Sequence, residues 1–230
     1  MTISVLCWKR LGIDSIVMLM GAEKEWEQIP VYAYILKSLK EIGAKITFLS
    51  QNSNPRPKNL WNQILSNDVK IPEFSLAQIS RIYAAMLPFT SELNDNSIFI
   101  TTDSDLLVFN KNPHIPNLEK GEQIKFYSTY EDTCCEFIKI PKGYQKVKHY
   151  FLQTIAASIE TWRDIMEISQ INSTQNLVQV LIDEIGSKLF KLPEMKGNML
   201  WGIDEALVSY KIDKWFRRNN NNIPVGEYKY

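Results

Sequence analysis

Asp103 and Asp105 stand two positions apart, directly after the apolar run SIFITT (Ser97 to Thr102) and just before a second one, Leu106 to Phe109. Carboxylates spaced i and i+2 on an extended chain point the same way and can share one cation. Hard oxygen donors with no soft partner nearby select Mg²⁺ or Mn²⁺ over zinc. An ion so held clamps a diphosphate and neutralises charge as that diphosphate leaves. A buried strand cannot carry two uncompensated carboxylates, but at the carboxyl end of a parallel strand they emerge into the crevice where open α/β sheets bind ligands. The tripeptide by itself is common, occurring by chance in roughly half of chains this long. Its place between two apolar runs singles it out.

The elements that must hold the pair can be read from period and punctuation. Ile13 to Met20 is a short apolar run ending at Gly21, the pattern of a strand buried in a parallel sheet. Pro30 opens a segment with Val31, Ile35, Leu39 and Ile42 on one face and Gly43 just past its end, which predicts a helix. Lys45 to Ser50 (KITFLS) follows as a second strand, completing a βαβ unit. Gln51 to Pro57 is a turn-rich loop. A helix is predicted from about Ser75 to Leu87, SIFITT as a third strand, and Ile124 to Tyr127 and Cys134 to Ile140 as further strands. Leu152, Ile155, Ile159, Trp162 and Met166 predict a long helix, Leu177, Leu181, Ile185 and Leu189 another, and Asp204 to Phe216 a last one. The reading is an α/β fold in one domain, 1–230, with a mostly parallel central sheet flanked by helices and a helical C-terminal third.

Composition narrows the function. The 230 residues carry 26 Lys plus Arg against 26 Asp plus Glu. A chain without excess cations is not built to coat nucleic acid, since counterion release needs them, and none is expected as a partner. Three cysteines, Cys7, Cys134 and Cys135, make neither a disulfide framework nor a zinc site. No apolar run reaches the roughly 18–20 residues of a membrane span, and no signal peptide is visible.

With these residues in place, the chain resembles the nucleotide-diphospho-sugar transferases of the GT-A fold, whose hallmark is a D-x-D after a buried strand. The likeness runs loosely from Ile13 to Trp215. A helix with a basic residue precedes the motif strand, here Gln78 to Ala85 with Arg81, and a Trp-x-x-Asp-Glu element lies late, here Trp201-Gly202-Ile203-Asp204-Glu205. The resemblance implies a Rossmann-like GT-A domain that moves a sugar from a nucleotide-diphosphate donor, linked to UDP or GDP, to an acceptor hydroxyl with Mn²⁺ or Mg²⁺. It implies that Asp103 and Asp105 meet the metal, that Arg81, Thr102, Asp103 and Ser104 contact the nucleotide-sugar, and that Asp204 or Glu205 faces the acceptor. In an inverting enzyme that carboxylate is the base; in a retaining one it stabilises the sugar cation.

The family also implies a first strand and a base-holding loop, for which Met1 to Gly12 leaves little room. Thr2 to Trp8 is that strand, or a helix in its place. A late metal-binding His, found in many members, has no counterpart after Trp201, so the domain reads as incomplete at both ends. The chain as it stands reads as cytoplasmic, or as lumenal in the Golgi or ER if a membrane anchor lies outside it.

Other readings compete. TTDSDLLVF also resembles a PIN or flap-type nuclease, but such a site needs further acids for two metals, and only Asp14 is offered by the first strand. A non-catalytic domain retaining the fold is the third reading. Residue by residue, Arg81 can snorkel at a helix edge, and Asp204 and Glu205 can complement a helix dipole. His114 and His149 are expected at the surface.

Overall fold

The structure, a computed structural model, describes residues 1–49, 73–127, 137–139, 146–172, 174–185, 202–220 and 222–227. The Gln51–Pro57 loop, Cys134, Cys135, Leu189 and Trp201 lie outside the described residues.

The N-terminal residues form a helix, α1 (Thr2–Arg10), and not a strand. Its buried residues Ser4, Val5 and Trp8 recur at the helical period, whereas a strand would bury alternate positions. Strand β1 (Ile16–Met20) follows, then α2 (Glu23–Gln28) and α3 (Pro30–Ile42). Pro30 sits in the first turn of α3, where its missing N–H costs nothing. Gly43 ends the helix in the left-handed region at φ 85°, and the N–H groups of Gly43 and Ala44 donate back to Lys40 and Leu39. Strand β2 (Lys45–Leu49) pairs parallel to β1, with Ile16 opposite Lys45 and Met20 opposite Leu49. The βαβ unit is therefore present as the sequence predicts. Val5, Val17, Leu19, Leu36 and Leu39 form its core.

Helix α4 (Glu73–Ser80) passes into a 3₁₀ turn, Arg81–Met86, so the predicted helix is present but tightens halfway. The Ser80 hydroxyl donates to the Leu76 carbonyl at the join, a back-bond that competes with the regular ladder. Strand β3 (Ile98–Thr102) carries the D-x-D at its end. Short strands β4 (Ile124–Phe126), β5 (Phe137–Lys139) and β6 (Lys146–Lys148) follow. Then come β7 (Thr154–Ser158), α5 (Ile159–Met166), α6 (Thr174–Ile185), α7 (Ile203–Arg218) and β8 (Val225–Glu227). Among the described residues of the C-terminal third, α5, α6 and α7 predominate over β7 and β8.

Two expectations are corrected. The largest sheet, in the order β3-β7-β4-β8, is not mostly parallel: β7 runs antiparallel to both β3 and β4, and only β4 and β8 pair in parallel. The long helix predicted from Leu152 instead begins at Ile159, because Thr154 to Ser158 is a central strand. Thr154, Ile155, Ala156 and Ala157 are all buried, so this strand has no alternation to distinguish it from a helix. Ser158 then caps α5 by accepting the Thr161 N–H at 3.0 Å. The main core lies between this sheet and helices α4 to α7, around Leu76, Ile79, Tyr83, Phe126 and Trp162. The Trp162 indole N–H donates to the Phe99 carbonyl at 3.0 Å and ties α5 to β3.

Candidate functional site

Where β3 ends, the chain turns at once. The Asp103 N–H reaches the Gln153 carbonyl at 3.4 Å, and the Leu106 N–H turns back to the Asp103 carbonyl. The turn places Asp103 half-buried and sends Ser104 and Asp105 into solvent. The Thr102 hydroxyl donates to the Asp103 carbonyl at 3.3 Å.

Arg81 comes from the join of α4 and its 3₁₀ turn, and Asp204 and Glu205 from the first turn of α7. The guanidinium bridges two acids distant in sequence. Its Nη2 and Nε donate to Asp204 Oδ2 at 2.6 and 3.2 Å, and its Nη1 donates to Asp103 Oδ1. Asp204 is 1% exposed, and its second oxygen accepts the Glu205 N–H at 2.9 Å. Burial pushes the Asp204 carboxyl above its ordinary value, and Arg81 and the Glu205 N–H only partly offset this. Burial also works against the Arg81 charge, but Asp204 and Asp103 outweigh it and hold the guanidinium above its usual pKa.

Glu205 is more open. Its Oε2 lies 3.1 Å from His149 Nε2, and its Oε1 accepts the Leu152 N–H at 3.4 Å. Burial alone would raise its carboxyl, yet His149, the Leu152 N–H and Arg81 together carry it below the ordinary range. Glu205 is thus the more reachable acid of the pair, and Asp204 the anchored one.

Arg81, Thr102, Asp103, Ser104, Asp105, Asp204 and Glu205 line one cleft of about 590 Å³. One wall is α1 and β1, through Trp8 and Ser15 to Met18. The other is α4 and β3, through Gln78, Arg81 and Phe99 to Asp105, with Asp204 and Glu205 at the side. Among the described residues β1 bonds only β2, and β3 bonds only β7, so two open sheet edges border the cleft.

The structure brings together the seven residues to which the resemblance gives a site role: Arg81, Thr102, Asp103, Ser104, Asp105, Asp204 and Glu205 all lie in this cleft. Both histidines depart from expectation. His114 is 4% exposed, its Nδ1 2.9 Å from the Thr154 hydroxyl and its ring stacked on Tyr127, and burial pulls its pKa down to about 4. His149 is mostly covered and partners Glu205. No periodicity links positions 56 apart, so sequence reading missed it. Trp8, Gln78 and Thr101 were missed as cleft residues too, although Gln78 lies three positions before Arg81 and Thr101 two before Asp103. Among the described residues no three His, Cys, Asp or Glu side chains gather closely enough to hold a metal by themselves. Two carboxylates nevertheless suit Mg²⁺ or Mn²⁺ when phosphate oxygens supply the remaining ligands, as is usual for these ions.

The arrangement defines an acidic cleft with one anchored guanidinium, open on the side of Asp105 and Glu205. No family model, no curated protein and no solved structure matches the chain.

Proposed function

We propose that the protein is a metal-dependent glycosyltransferase that moves a sugar from a nucleotide-diphosphate donor to an acceptor hydroxyl. The observation that carries this reading is the convergence of Arg81, Asp103, Asp105, Asp204 and Glu205 on one cleft, from segments up to 124 positions apart. The fold reading that accompanies it is a GT-A domain: a parallel β1–α3–β2 unit, the D-x-D at the end of β3, and an antiparallel strand beside β3. No helix among the described residues is long and apolar enough to cross a membrane.

Each residue receives a role from its surroundings. Asp103 and Asp105 would hold a divalent ion together with the donor's phosphates, and such an ion would supply positive charge against the leaving diphosphate. Arg81 presents a planar guanidinium suited to phosphate, fixed in place by Asp204. Thr102 and Ser104 flank the phosphates. Glu205 faces the acceptor, oriented by His149. In an inverting course it takes the acceptor's proton as the oxygen attacks the anomeric carbon and the bond to the diphosphate breaks. In a retaining course it stabilises the sugar cation instead. Asp204, with both oxygens engaged, acts through Arg81.

The nuclease reading has less support, because Asp14 bonds Lys9 at 2.7 Å on the surface and does not line the cleft. A thermal melt tests the transferase reading. Mn²⁺ with UDP or GDP should raise Tm, because a ligand bound to the native state stabilises it. A hundredfold excess over Kd corresponds to about 2.7 kcal/mol. Asp103→Asn should abolish the shift. Failure of every nucleoside diphosphate to raise Tm would support a domain that keeps the fold without the chemistry, and metal-dependent cleavage of single-stranded or flapped DNA would support the nuclease.

A further inference from the structure

We infer that the cleft is also a strand-addition slot, in which the free edges of β1 and β3 take up an extended peptide with apolar side chains and a Lys or Arg at one end. The inference goes beyond the function proposed above and does not rest on it. The two ladders fix which backbone groups face the slot. In β1 the odd-numbered residues bond β2: the Lys45 N–H donates to the Ser15 carbonyl at 2.9 Å, and the Gly21 N–H to the Leu49 carbonyl at 3.0 Å. In β3 the odd-numbered residues bond β7, as the Asp103 N–H to the Gln153 carbonyl and the Ile159 N–H to the Ser97 carbonyl show. Backbone direction alternates along a strand. Ile16 and Met18 on one side, and Ile98, Ile100 and Thr102 on the other, therefore turn N–H and C=O away from their ladders. Among the described residues nothing bonds these groups. All five residues are half-buried, and Ile16, Met18, Ile100 and Thr102 line the cleft.

The surroundings select the occupant. Val17 and Leu19 point to one face of β1, where Val5 of α1 and Leu36 of α3 pack on them. Met18 and Met20 point to the other face, toward the main core around α4. The slot is thus covered on both faces, and a strand buried on both faces carries apolar side chains throughout. Val5 on one wall and Ala77 and Ala84 on the other suit such a segment. At the end of β3 the lining changes to Asp103, Asp105, Asp204 and Glu205. Arg81 is already committed to Asp103 and Asp204. A cationic side chain at one end of the peptide complements the carboxylates left more open, Asp105 and Glu205.

Unpaired N–H and C=O groups along a strand edge are a template for another chain, and proteins ordinarily blunt them with charge or proline. Neither strand here carries either device: β1 reads IVMLM and β3 reads IFITT. In strand addition the backbone bonds supply affinity and the side chains supply selectivity. A peptide paired with both rows lies about 4.8 Å from each strand and satisfies groups on its two sides at once.

The test uses the full chain without metal or nucleotide, so its outcome is separate from that of the transferase reading. Hydrogen exchange followed by NMR comes first. The amides of Met18, Ile100 and Thr102 should exchange about tenfold faster, or more, than those of Val17, Leu19 and Thr101. Equal protection of both sets in the free chain would mean that the slot is already closed, and would overturn the proposal. Protection that grows with protein concentration would make the occupant a second copy and overturn it too. Pooled acetylated hexapeptides, randomised over Val, Thr and Ala and carrying Lys at one end, should bind and slow the fast amides. The same pool with Glu in place of Lys should bind about tenfold more weakly, and equal binding would overturn the charge match. N-methylation of alternate peptide nitrogens, in either phase, should cut affinity about tenfold, because each set faces one of the two strands. Met18→Pro and Ile100→Pro each remove one outward N–H at an edge, where the ladder does not need it, so both should fold and lose most of the binding. Should either fail to fold, the N-methylated peptides decide. Binding blind to N-methylation, or failure of every pool to bind, would overturn the slot.

Discussion

Helix α7 meets an ionic network at each end, and the two ends differ in what their charges face. In its C-terminal half Lys211, 2% exposed, bonds Glu184 at 2.6 Å, and Lys214 and Arg218 bond Glu167. Arg218 also bonds Asp164, which accepts the Trp215 indole N–H. These charges face one another and fasten α7 to α5 and α6. In the first turn, Asp204 anchors Arg81 but Glu205 and Asp105 remain reachable from a cleft. The same residue types thus act as a staple at one end and as a site at the other. The deciding factor is which charges the pairing leaves open.

The comparison can be attacked first at Asp204. Asp204→Ala removes the buried partner of Arg81 and the acceptor of the Glu205 N–H, so a loss of about 3 kcal/mol is expected in urea unfolding. A loss below about 1 kcal/mol would mean that Asp103 alone satisfies Arg81 and that the anchor is dispensable.

Acid should act next, on the cleft side before the staple. His114, which packs on Trp8, is held neutral with a folded pKa of about 4, below the ordinary value of 6.5. A depressed His pKa means that the unfolded chain binds the proton first. Its contribution is present above pH 6.5 and is lost as pH falls toward 4, a change on the order of 2–3 kcal/mol. Glu167, in the staple, is carried below the usual carboxylate range first by its bond to Lys214. Its contribution is lost only at lower pH, as the carboxylate protonates. Denaturant midpoints measured from pH 7 to 4 should fall in wild type, and much less in His114→Phe.

The smallest effect is expected in the staple. Lys211→Met replaces the buried ammonium by a side chain of similar shape. Glu184 is left partly solvated and Glu167 keeps Lys214 and Arg218, so the cost should be about 1–2 kcal/mol. Nucleotide binding should not change, and a change would couple the two ends of α7.

Local rules carry the β1–α3–β2 unit and the placement of the D-x-D, because Pro30, Gly43 and the apolar spacing between them act within one segment. They fail at Thr154 to Ser158, where burial on both faces erases the alternation that marks a strand. They also fail for sheet direction, which depends on how the chain returns and not on any residue of β3. In the cleft, Asp103 and Asp105 were legible from position, and Arg81, Asp204 and Glu205 from family resemblance. His149 was not legible, because its meaning comes from Glu205 across a fold-level contact. The place of Trp8 in the cleft was equally hidden, since α1 meets β3 only in three dimensions.

The central claim is that Asp105, exposed and free of structural duty, helps to hold a cation on a donor's phosphates. Titrating Mn²⁺ with UDP or GDP into wild type and Asp105→Asn tests it most directly. The account predicts equal melting temperatures without ligand and a Mn²⁺-dependent affinity at least tenfold weaker in the variant. Equal affinity in the two proteins, or wild-type binding indifferent to Mn²⁺, would contradict it.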